Sequence, residues 1–475
     1  MSEIIKTDIC VIGGGSGGLS VAAGASQMGA DVVLVEKAKM GGDCLNYGCV
    51  PSKALLAAGH AAQAVRHSAK FGVQASLNGI NHQAVHDHVK GVIASIAPFD
   101  SVERFEGLGV KVIQGAAEFS GPQEIKVDDT RIQAKRFVIA TGSRAMIPPI
   151  DGLAETPFYT NENIFDLTEA PKHLIVIGGG PIGIEMAQAH RHLGCDVSVL
   201  EMFKIMPKDD PELVEFVRDR LNNEGVALHE GVKVISTAKS ANGVEVTIER
   251  DGVEEKISGS HLLVAAGRRV NVAGLNLEAG GVSYSERGIK VDARLRSTTN
   301  KKVFAIGDVA GGFQFTHKAG YDAGVVIKNA LFRLPSKANY DAMPWVTYTA
   351  PELAAVGLNE EAARKKHDEI RILRWPFIEN DRARAEGTTE GLVKVITTPK
   401  GLILGAAIVG PHAGELIQVW ALALSQKMKI QAMASMIAPY PTLGEVSKRA
   451  AGSFFTPSLF SEKTKKIVRF LLSFG

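Results

Sequence analysis

One glycine-rich segment constrains the fold of this chain more than any other feature. Residues 8–36 read as an apolar run, a glycine-rich turn, an alanine-rich stretch and a second apolar run. The turn carries Gly13, Gly15 and Gly18, and the second run ends in Glu36. In such a unit the first glycine makes the turn, the second admits a pyrophosphate and the third lets helix and strand pack closely. The segment therefore predicts a strand–helix–strand unit that binds a dinucleotide.

The same fingerprint recurs in residues 174–201. Its glycines are Gly178, Gly180 and Gly183, and its closing acid is Glu201. In both copies the acid follows the last glycine by 18 residues. A single GxGxxG can serve helix packing alone, but two copies with matching strands and acids are strong evidence. The sequence thus predicts an α/β protein with two Rossmann-like domains and two bound dinucleotides.

The closing acids indicate which dinucleotides bind. A carboxylate accepts hydrogen bonds from a ribose diol and repels a 2′-phosphate. Glu36 therefore suits FAD, and Glu201 suits NAD(H). The stretch after Glu201 contains Lys204 and Lys208 but no arginine, the residue best shaped to clamp a phosphate. NADH is favoured over NADPH.

The chain has only four cysteines, and two of them form a close pair. Cys44 and Cys49 follow a glycine-rich turn, and Lys53 lies roughly one helical turn further on. Cysteines at this spacing meet at a distorted helix start, where the helix dipole favours the reactive thiolate. Two separate buried thiols are the alternative, and zinc binding is disfavoured because no second ligand pair lies nearby. Cys10 and Cys195 are predicted to be packing residues.

Charge and hydropathy exclude other classes of protein. The 53 Lys and Arg nearly balance the 51 Asp and Glu, so no global field attracts nucleic acid. No uncharged apolar run is long enough to span a bilayer, and the first residues lack the regions of a signal peptide. We expect a cytoplasmic protein with no metal site and no nucleic-acid partner.

The segment GGDCLNYGCVPSK around the cysteines resembles the redox-active disulfide motif of the pyridine nucleotide–disulfide oxidoreductases. Members of this family include dihydrolipoamide dehydrogenase, glutathione reductase and mercuric reductase. The resemblance extends to about residue 455. Four further segments agree in their order along the chain: ATGS at 140–143, VAAGRR at 264–269, AIGDVAG at 305–311 and YTAPELAAVG at 348–357.

The resemblance implies a domain plan and a homodimer. A C-terminal α+β dimerisation domain would follow the two Rossmann-like domains. The implied ranges are a first FAD-binding part at 1–150, an NAD(H)-binding domain at 151–270, a second FAD-binding part at 271–340, the dimerisation domain at 341–460 and a basic, amphipathic tail at 461–475.

The resemblance also implies the roles of individual residues. Cys44 would be the outer thiol that exchanges with substrate, and Cys49 the inner thiol that contacts the flavin. Lys53 and Glu185 would form an ion pair beside the flavin, and Asp308 would bind the ribityl chain. The implied cofactor-binding residues are Gly13, Gly15, Gly18, Glu36, Lys37, Gly42, Thr141, Gly142, Ser143, Gly178, Gly180, Gly183, Glu201, Gly267, Arg268, Gly307 and Asp308.

The chain departs from the family pattern near its C-terminus. Thiol-handling members place a catalytic histidine where this chain has Tyr440, although Glu445 of the same motif is present. A phenol has a reference pKa near 10 and cannot replace an imidazole as a proton store at pH 7. Tyr440 is instead expected to donate a hydrogen bond, or merely to fill the space. Mercuric reductase uses a C-terminal cysteine pair, and no cysteine follows Cys195.

The sequence therefore predicts an FAD-dependent, NADH-preferring disulfide oxidoreductase. Its acceptor would be a small or protein disulfide, a metal ion or a quinone. One alternative is a diaphorase-like enzyme that reduces quinones or metal ions directly from the flavin. Another is a non-catalytic subunit of a multienzyme complex. For the tail, self-packing or disorder is favoured over a peripheral membrane contact.

Overall fold

The computed structural model describes residues 4–474 in two compact units. The first unit comprises residues 4–178, 189–202 and 232–339. The second comprises residues 179–188, 203–231 and 340–474. The division into domains that the sequence implies stays a prediction.

A seven-stranded sheet forms the centre of the first unit. Five of its strands are parallel, namely Val110–Gln114, Val32–Glu36, Ile4–Ile12, Thr130–Ile139 and Val303–Ala305. Two antiparallel strands complete one side of the sheet: Glu124–Val127 and Ala117–Gly121. Every residue of Val32–Glu36 is buried, which is typical of a parallel strand covered on both faces.

Helices pack against this sheet. The first of them, Ser16–Gln27, lies against Thr316–Ala330, and a Cβ added at Gly24 would stand 2.6 Å from Ile327 Cδ1. Glycine at that position therefore lets the two helices approach closely. The α-helices of this unit are Ser16–Gln27, Gly42–Asn46, Cys49–Arg66, His82–Ile96, Val102–Gly107 and Thr316–Ala330, and its 3-10 turns are Ser68–Phe71, Ala97–Asp100, Ile164–Asp166 and Gly307–Ala310.

The second fingerprint begins on another parallel sheet of the first unit. Its strand His173–Ile177 lies between Asp196–Glu201 and His261–Val264. The helix Pro181–His192 connects the first two of these strands along the chain. Other strands of this unit form an antiparallel sheet and two short pairs: Lys233–Ser240, Gly243–Arg250 and Val253–Gly259; Ser143–Ala145 with Arg268–Val270; and Tyr284–Ser285 with Gly288–Ile289.

The second unit is built on a five-stranded antiparallel sheet. The strands, in spatial order, are Pro344–Thr347, Glu352–Gly357, Ile403–Gly410, Leu392–Thr397 and Arg371–Pro376. Trp420 is fully buried in the core and its indole N–H donates to Ser447 Oγ at 3.0 Å. The other elements of this unit are the strand Ala227–Glu230, the α-helices Pro211–Asn223, Glu360–Lys366, Asp381–Glu386, Ala413–Ser425, Ile430–Ser435, Glu445–Ser453, Thr456–Leu459 and Glu462–Leu471, and the 3-10 turns Phe377–Glu379 and Leu472–Phe474.

Buried charges connect the helix Pro211–Asn223 to this sheet. Lys394 is buried, and its ammonium lies 2.8 Å from Asp210 Oδ2, 2.8 Å from Glu212 Oε2 and 3.0 Å from Glu360 Oε2. A buried ammonium is tolerated when several carboxylates surround it in this way. Nearby, buried Asp209 accepts a hydrogen bond from Trp345 Nε1 at 2.7 Å.

The predicted fold class is confirmed, because helices and parallel sheets of the α/β type precede a C-terminal part of the α+β type. The favoured description of the tail is wrong. Residues 462–471 form a helix rather than a disordered segment, and almost every side chain from 462 to 474 is exposed rather than packed on the protein. In the described part of the chain, no helix is both long and apolar enough to cross a membrane.

Candidate functional site

The first glycine-rich turn is shaped by close backbone approaches. Gly13 has a φ of +112°, and a Cβ there would lie 2.5 Å from the carbonyl oxygen of Ala140. A Cβ at Gly18 would stand 1.9 Å from the carbonyl oxygen of Gly13. A Cβ at Gly42 would lie 2.7 Å from Gly15 Cα, so the turn also packs against the segment before the cysteines. Only glycine fits these positions, as the fingerprint requires.

Glu36 holds this turn from the end of the second strand. Its carboxylate accepts from the backbone N–H of Gly14 at 2.5 Å and of Ala38 at 2.6 Å. The helix Ser16–Gln27 begins after Gly15, and no side chain caps its first N–H groups. Backbone N–H groups at a helix start that no side chain caps, next to glycines that leave room for the ligand, can donate hydrogen bonds to a pyrophosphate. These residues fit the adenosine diphosphate portion of FAD. Lys37, by contrast, is exposed.

A polar network within the first unit connects the segments ATGS, VAAGRR and AIGDVAG with the cysteine motif. Ser143 Oγ donates to Asp308 Oδ2 at 2.5 Å, and Arg268 Nε donates to Ser143 Oγ at 2.7 Å. Arg268 also reaches Asp43 Oδ2 at 3.1 Å, next to the first cysteine of the pair. Asp43 Oδ1 in turn accepts from Asn161 Nδ2 at 3.0 Å. Burial raises the pKa of Asp308, against the hydrogen bond from Ser143.

The turns that carry the remaining predicted residues are fixed by hydrogen bonds. Thr141 Oγ1 donates to the carbonyl of Asn271 at 2.7 Å, and Asn271 Nδ2 donates back to Thr141 O at 2.9 Å. Asp322 accepts from the N–H of Gly307 at 3.0 Å, and Lys318 donates to the carbonyl of Gly307 at 3.1 Å. Lys318 and Asp322 are both buried and form an ion pair at 2.8 Å. Gly142, Gly267 and Gly307 have positive φ angles of 66°, 125° and 65°.

Cys44 and Cys49 lie on two successive helices. Cys44 belongs to Gly42–Asn46, and Cys49 begins Cys49–Arg66 after Gly48. Both cysteines are free thiols, and Cys49 is the more exposed of the two. Cys49 Sγ lies 3.4 Å from the hydroxyl of Thr316, which starts the helix Thr316–Ala330.

The pKa values of the two thiols are shifted in opposite directions. The hydrogen bond between them lowers the pKa of Cys49 to about 6, with support from Thr316 and the charge of Lys53. The same hydrogen bond, burial and the resulting negative charge raise the pKa of Cys44 well above its ordinary value. The negative charge of Asp43 raises the pKa of both cysteines. These shifts favour the thiolate on Cys49 and the proton on Cys44 in the reduced pair.

The other two cysteines differ sharply from this pair. Cys10 and Cys195 are buried in the core. Burial raises the pKa of Cys10, and it raises the pKa of Cys195 to about 11. A buried thiol with a raised pKa is inert. Their predicted role in packing is consistent with this burial.

The residues of the implied Lys53–Glu185 pair fall in different units. Lys53 lies on the helix Cys49–Arg66 and lowers the pKa of Cys49 by its charge. Glu185 is buried on the helix Pro181–His192, where Oε1 accepts from the N–H of Tyr348 at 2.9 Å. Their ion pair stays a prediction.

The second glycine-rich turn repeats the backbone constraint of the first. Gly178 has a φ of +114°, and a Cβ there would lie 2.4 Å from the carbonyl oxygen of Ala265. A Cβ at Gly180 would meet nothing within 4 Å. Lys204 and Lys208 in the stretch after Glu201 are exposed. The first glycine of this fingerprint fits the turn of a nucleotide site.

Tyr440 lies on the surface of the second unit, 70% exposed. Its hydroxyl donates to Asp381 Oδ2 at 3.1 Å. This hydrogen bond, together with the charges of Asp381 and Glu445, raises the pKa of Tyr440. Glu445 begins the helix Glu445–Ser453. The phenol is therefore an even poorer base near pH 7 than an ordinary tyrosine.

Three residues of the site escape the sequence reasoning. Thr316 and Asp43 act on the thiol pair, and Asn161 joins the network through Asp43. Thr316 carries a weak signal in the sequence, since it begins the helix that follows AIGDVAG. Asp43 lies inside the cysteine motif itself, but its partner Arg268 is 225 residues away, a pairing that only the fold reveals. Among the described residues, no three His, Cys, Asp or Glu side chains are grouped to hold a metal ion.

Comparison with known families assigns the chain to a class. Residues 7–323 match the model of the pyridine nucleotide-disulphide oxidoreductases, and residues 343–451 match the dimerisation domain of the same family. The chain belongs to this family. It is a flavin-dependent enzyme that transfers electrons between a nicotinamide nucleotide and a disulfide or related acceptor, and it carries the dimerisation domain of its class.

Individual relatives come from several branches of the family. The chain is 38% identical to dihydrolipoyl dehydrogenase of Thermus scotoductus over 94% of this chain and 96% of that protein. It is 32% identical to mercuric reductase of Staphylococcus aureus over 94% of this chain and 82% of that protein. Its fold matches the HOCl-induced flavoprotein disulfide reductase RclA of Escherichia coli with a TM-score of 0.83, at 26% identity over 94% of this chain and 99% of that one.

Proposed function

We propose that this enzyme oxidises NADH and reduces a disulfide or a related acceptor through Cys44 and Cys49. The observation that carries this proposal is the division of charge within the pair. The pKa of Cys49 is lowered to about 6, and that of Cys44 is raised. Such an asymmetric pair is typical of dithiols that store two electrons, whereas a packing thiol has a raised pKa.

Each residue of the pair has a distinct task in this cycle. FAD, when bound, would accept hydride from the nicotinamide nucleotide and pass the electrons to the disulfide. Cys49 holds the thiolate of the reduced pair, which Thr316 and Lys53 stabilise. Cys44 keeps the proton and is the thiol that exchanges with an external disulfide. Glu36, Ser143 and Asp308 would hold the flavin nucleotide, as their positions in the family segments imply.

Thiol exchange at Cys44 depends on removing its proton. The pKa of Cys44 is raised, and Tyr440 is no base near neutrality because its own pKa is raised. In the proposed homodimer, Tyr440 and Glu445 of one subunit would complete the site of the other. Exchange with small disulfides should therefore be slow at pH 7 and should rise with pH, without the bell-shaped profile that a histidine with a pKa near 6.5 produces.

An acceptor screen with alkylation tests the disulfide cycle. The purified holoenzyme is reduced anaerobically with NADH, treated with iodoacetamide and assayed with disulfides, quinones and metal ions. We expect alkylation to abolish disulfide reduction, and Cys44→Ser and Cys49→Ser to do the same. Enzyme alkylated before reduction, and Cys195→Ala, are the matched controls and should retain activity. Full disulfide turnover after alkylation of the reduced pair would refute the proposal.

A second candidate function is direct reduction of quinones or metal ions from the flavin. The specific observation in its favour is Tyr440, because such acceptors need no proton relay at an outer thiol. In the same screen this function predicts acceptor activity that survives in Cys44→Ser and Cys49→Ser.

NADH is the proposed nucleotide because Glu201 closes the second fingerprint. A carboxylate at this position repels a 2′-phosphate, and the exposed Lys204 and Lys208 lack the planar fork that clamps one. We expect kcat/KM to favour NADH, and Glu201→Gln to raise the value for NADPH relative to NADH by about tenfold, the effect of roughly 1.4 kcal/mol. A wild-type preference for NADPH would contradict this choice. The cytoplasm stays the expected compartment.

A further inference from the structure

The last described residues form an exposed amphipathic segment, which we call the tail helix and define as residues 462–474. It comprises the helix Glu462–Leu471 and the 3-10 turn Leu472–Phe474. Ser461 caps its start by accepting from the N–H of Thr464 at 3.2 Å. The segment therefore has its own local reason to be helical. It lies beyond residues 343–451, which match the family's dimerisation domain.

The tail helix exposes a continuous apolar surface. Residues three and four apart share a face of a helix, so Ile467, Leu471 and Phe474 line up, with Val468 and Phe470 on either side. The rings of Phe470 and Phe474 contact each other with centroids 4.9 Å apart. Each of these side chains is about half exposed or more, and Leu472 and Phe474 reach 72% and 73%. Apolar groups clustered in this way on a surface mark an interaction site.

The opposite face of the tail helix is cationic. It carries Lys465, Lys466, Arg469 and the single acid Glu462, while Lys463 precedes Ile467 by four residues and lies on the apolar side. Glu462 neutralises only Lys465, at 2.8 Å. The chain as a whole carries a net charge of only +2, so this short segment concentrates positive charge. A cationic face beside an apolar one complements a surface that is anionic outside and apolar beneath.

We propose that the tail helix docks the enzyme on a lipid bilayer that contains anionic headgroups. The apolar face would enter the boundary between headgroups and acyl chains, and the basic residues would lie among the phosphates. At 1.5 Å per residue the 13 residues extend about 20 Å, less than the roughly 30 Å of a hydrocarbon core. The segment would therefore lie along the surface of the bilayer and would not span the bilayer.

Vesicle binding by the full-length holoenzyme tests this inference. Vesicles of phosphatidylcholine alone are compared with vesicles of phosphatidylcholine and phosphatidylglycerol in a co-sedimentation assay. We expect binding to the mixed vesicles to exceed binding to the neutral ones by about tenfold or more, since each basic residue near an anionic surface adds to affinity. Binding should fall in about 0.5 M sodium chloride, where the Debye length is only a few Å. Equal retention on both vesicle types would overturn the role assigned to the basic face.

Two double variants separate the apolar and cationic contributions. Phe470→Glu with Leu471→Glu should abolish binding to both vesicle types, and Lys465→Glu with Lys466→Glu should remove the preference for phosphatidylglycerol. The matched control is Lys365→Glu with Lys366→Glu, an exposed lysine pair on the helix Glu360–Lys366, which should bind like the wild type. Unchanged flavin absorbance and NADH oxidation would show that the variants are folded.

The oligomeric state identifies the rival occupant of the apolar face. Two results together would indicate this rival: the wild type binds neither kind of vesicle, and Phe470→Glu with Leu471→Glu changes the molar mass measured by light scattering. The tail helix would then contact a second copy of the chain. That result would overturn the proposal. Vesicle binding that both tail variants leave intact would overturn it as well.

Discussion

The hydroxyl of Thr316 gives a direct test of how the thiolate of Cys49 is stabilised. The hydroxyl lies 3.4 Å from Cys49 Sγ and can donate to the thiolate. The pKa of Cys49 falls from 9.0 to about 6, and Thr316 contributes less than the hydrogen bond from Cys44 but more than the charge of Lys53. A hydrogen bond to a charged group is typically worth about 1.5–3 kcal/mol, and a long contact to sulfur lies at or below the low end. We expect Thr316→Val to raise the pKa of Cys49 by about one unit.

The sign and size of this change set the assay. A thiol with a pKa of about 6 is roughly nine-tenths thiolate at pH 7, and one with a pKa of about 7 is about half thiolate. The two-electron-reduced holoenzyme should show a long-wavelength charge-transfer band between the Cys49 thiolate and oxidised flavin. Its amplitude is followed against pH in the wild type, Thr316→Val and Thr316→Ser. We expect the band of the valine variant to appear about one pH unit higher.

The serine variant is the control because it keeps the hydroxyl. Its midpoint should stay close to that of the wild type. The reasoning fails if the valine variant titrates at the wild-type pH, or if serine shifts the midpoint as much as valine does. Either result would mean that the hydroxyl does not stabilise the thiolate and that Cys44 and Lys53 account for the lowered pKa.

Three further predictions concern Tyr440, Asp43 and Asp209. Tyr440→His should raise the rate with dihydrolipoamide near pH 7, by about tenfold or more if the missing base limits exchange; an unchanged rate in steady-state assays would point to substrate access instead. Asp43→Asn removes a charge that raises the pKa of Cys44, so iodoacetamide should alkylate Cys44 of the reduced variant faster at pH 8, as peptide mass mapping distinguishes from alkylation of Cys49, and an equal rate at Cys44 would contradict this. Burial raises the pKa of Asp209 from 3.8 to about 6, so its protonated form stabilises the fold below pH 3.8 and that contribution is lost as the pH rises through 6. Asp209→Asn should therefore be more stable than the wild type at pH 8, by up to about 3 kcal/mol, and the difference in thermal midpoints should vanish near pH 4.

The sequence predicts the parts of the fold that depend on local backbone geometry. The turns at Gly13 and Gly178 follow from glycine spacing, because an added Cβ would collide with Ala140 and Ala265 in equivalent ways. The apolar run of Val32–Glu36 predicts a buried parallel strand for a similar local reason. These features are readable because the spacing that predicts each of them lies within about 30 residues, although Ala140 and Ala265 themselves are distant in sequence.

The electrostatics of the thiol pair are not readable in this way. Arg268 reaches Asp43 across 225 residues of sequence, and Thr316 reaches Cys49 across 267. Neither distance is implied by any periodicity or spacing, since both arise from how the helices and loops of the first unit come together. The sequence-based prediction for the tail is also wrong. The tail's composition favoured self-packing or disorder, whereas the exposure of Ile467 and Phe470 shows that the described residues 4–474 leave its apolar face uncovered.

Together, the charges around the two thiols favour storing electrons over exchanging thiols. The hydrogen bond from Cys44, with smaller contributions from Thr316 and Lys53, lowers the pKa of Cys49, so its thiolate persists at pH 7. Asp43 adds a negative charge that raises the pKa of Cys44, and Tyr440 is already hydrogen-bonded to Asp381. A proton on Cys44 slows attack on an external disulfide, because the thiolate is the nucleophile. The reduced pair should therefore be long-lived in the presence of small disulfides such as lipoamide. Acceptors that do not require deprotonation of Cys44 should then compete well, and the acceptor screen as a function of pH would reveal them.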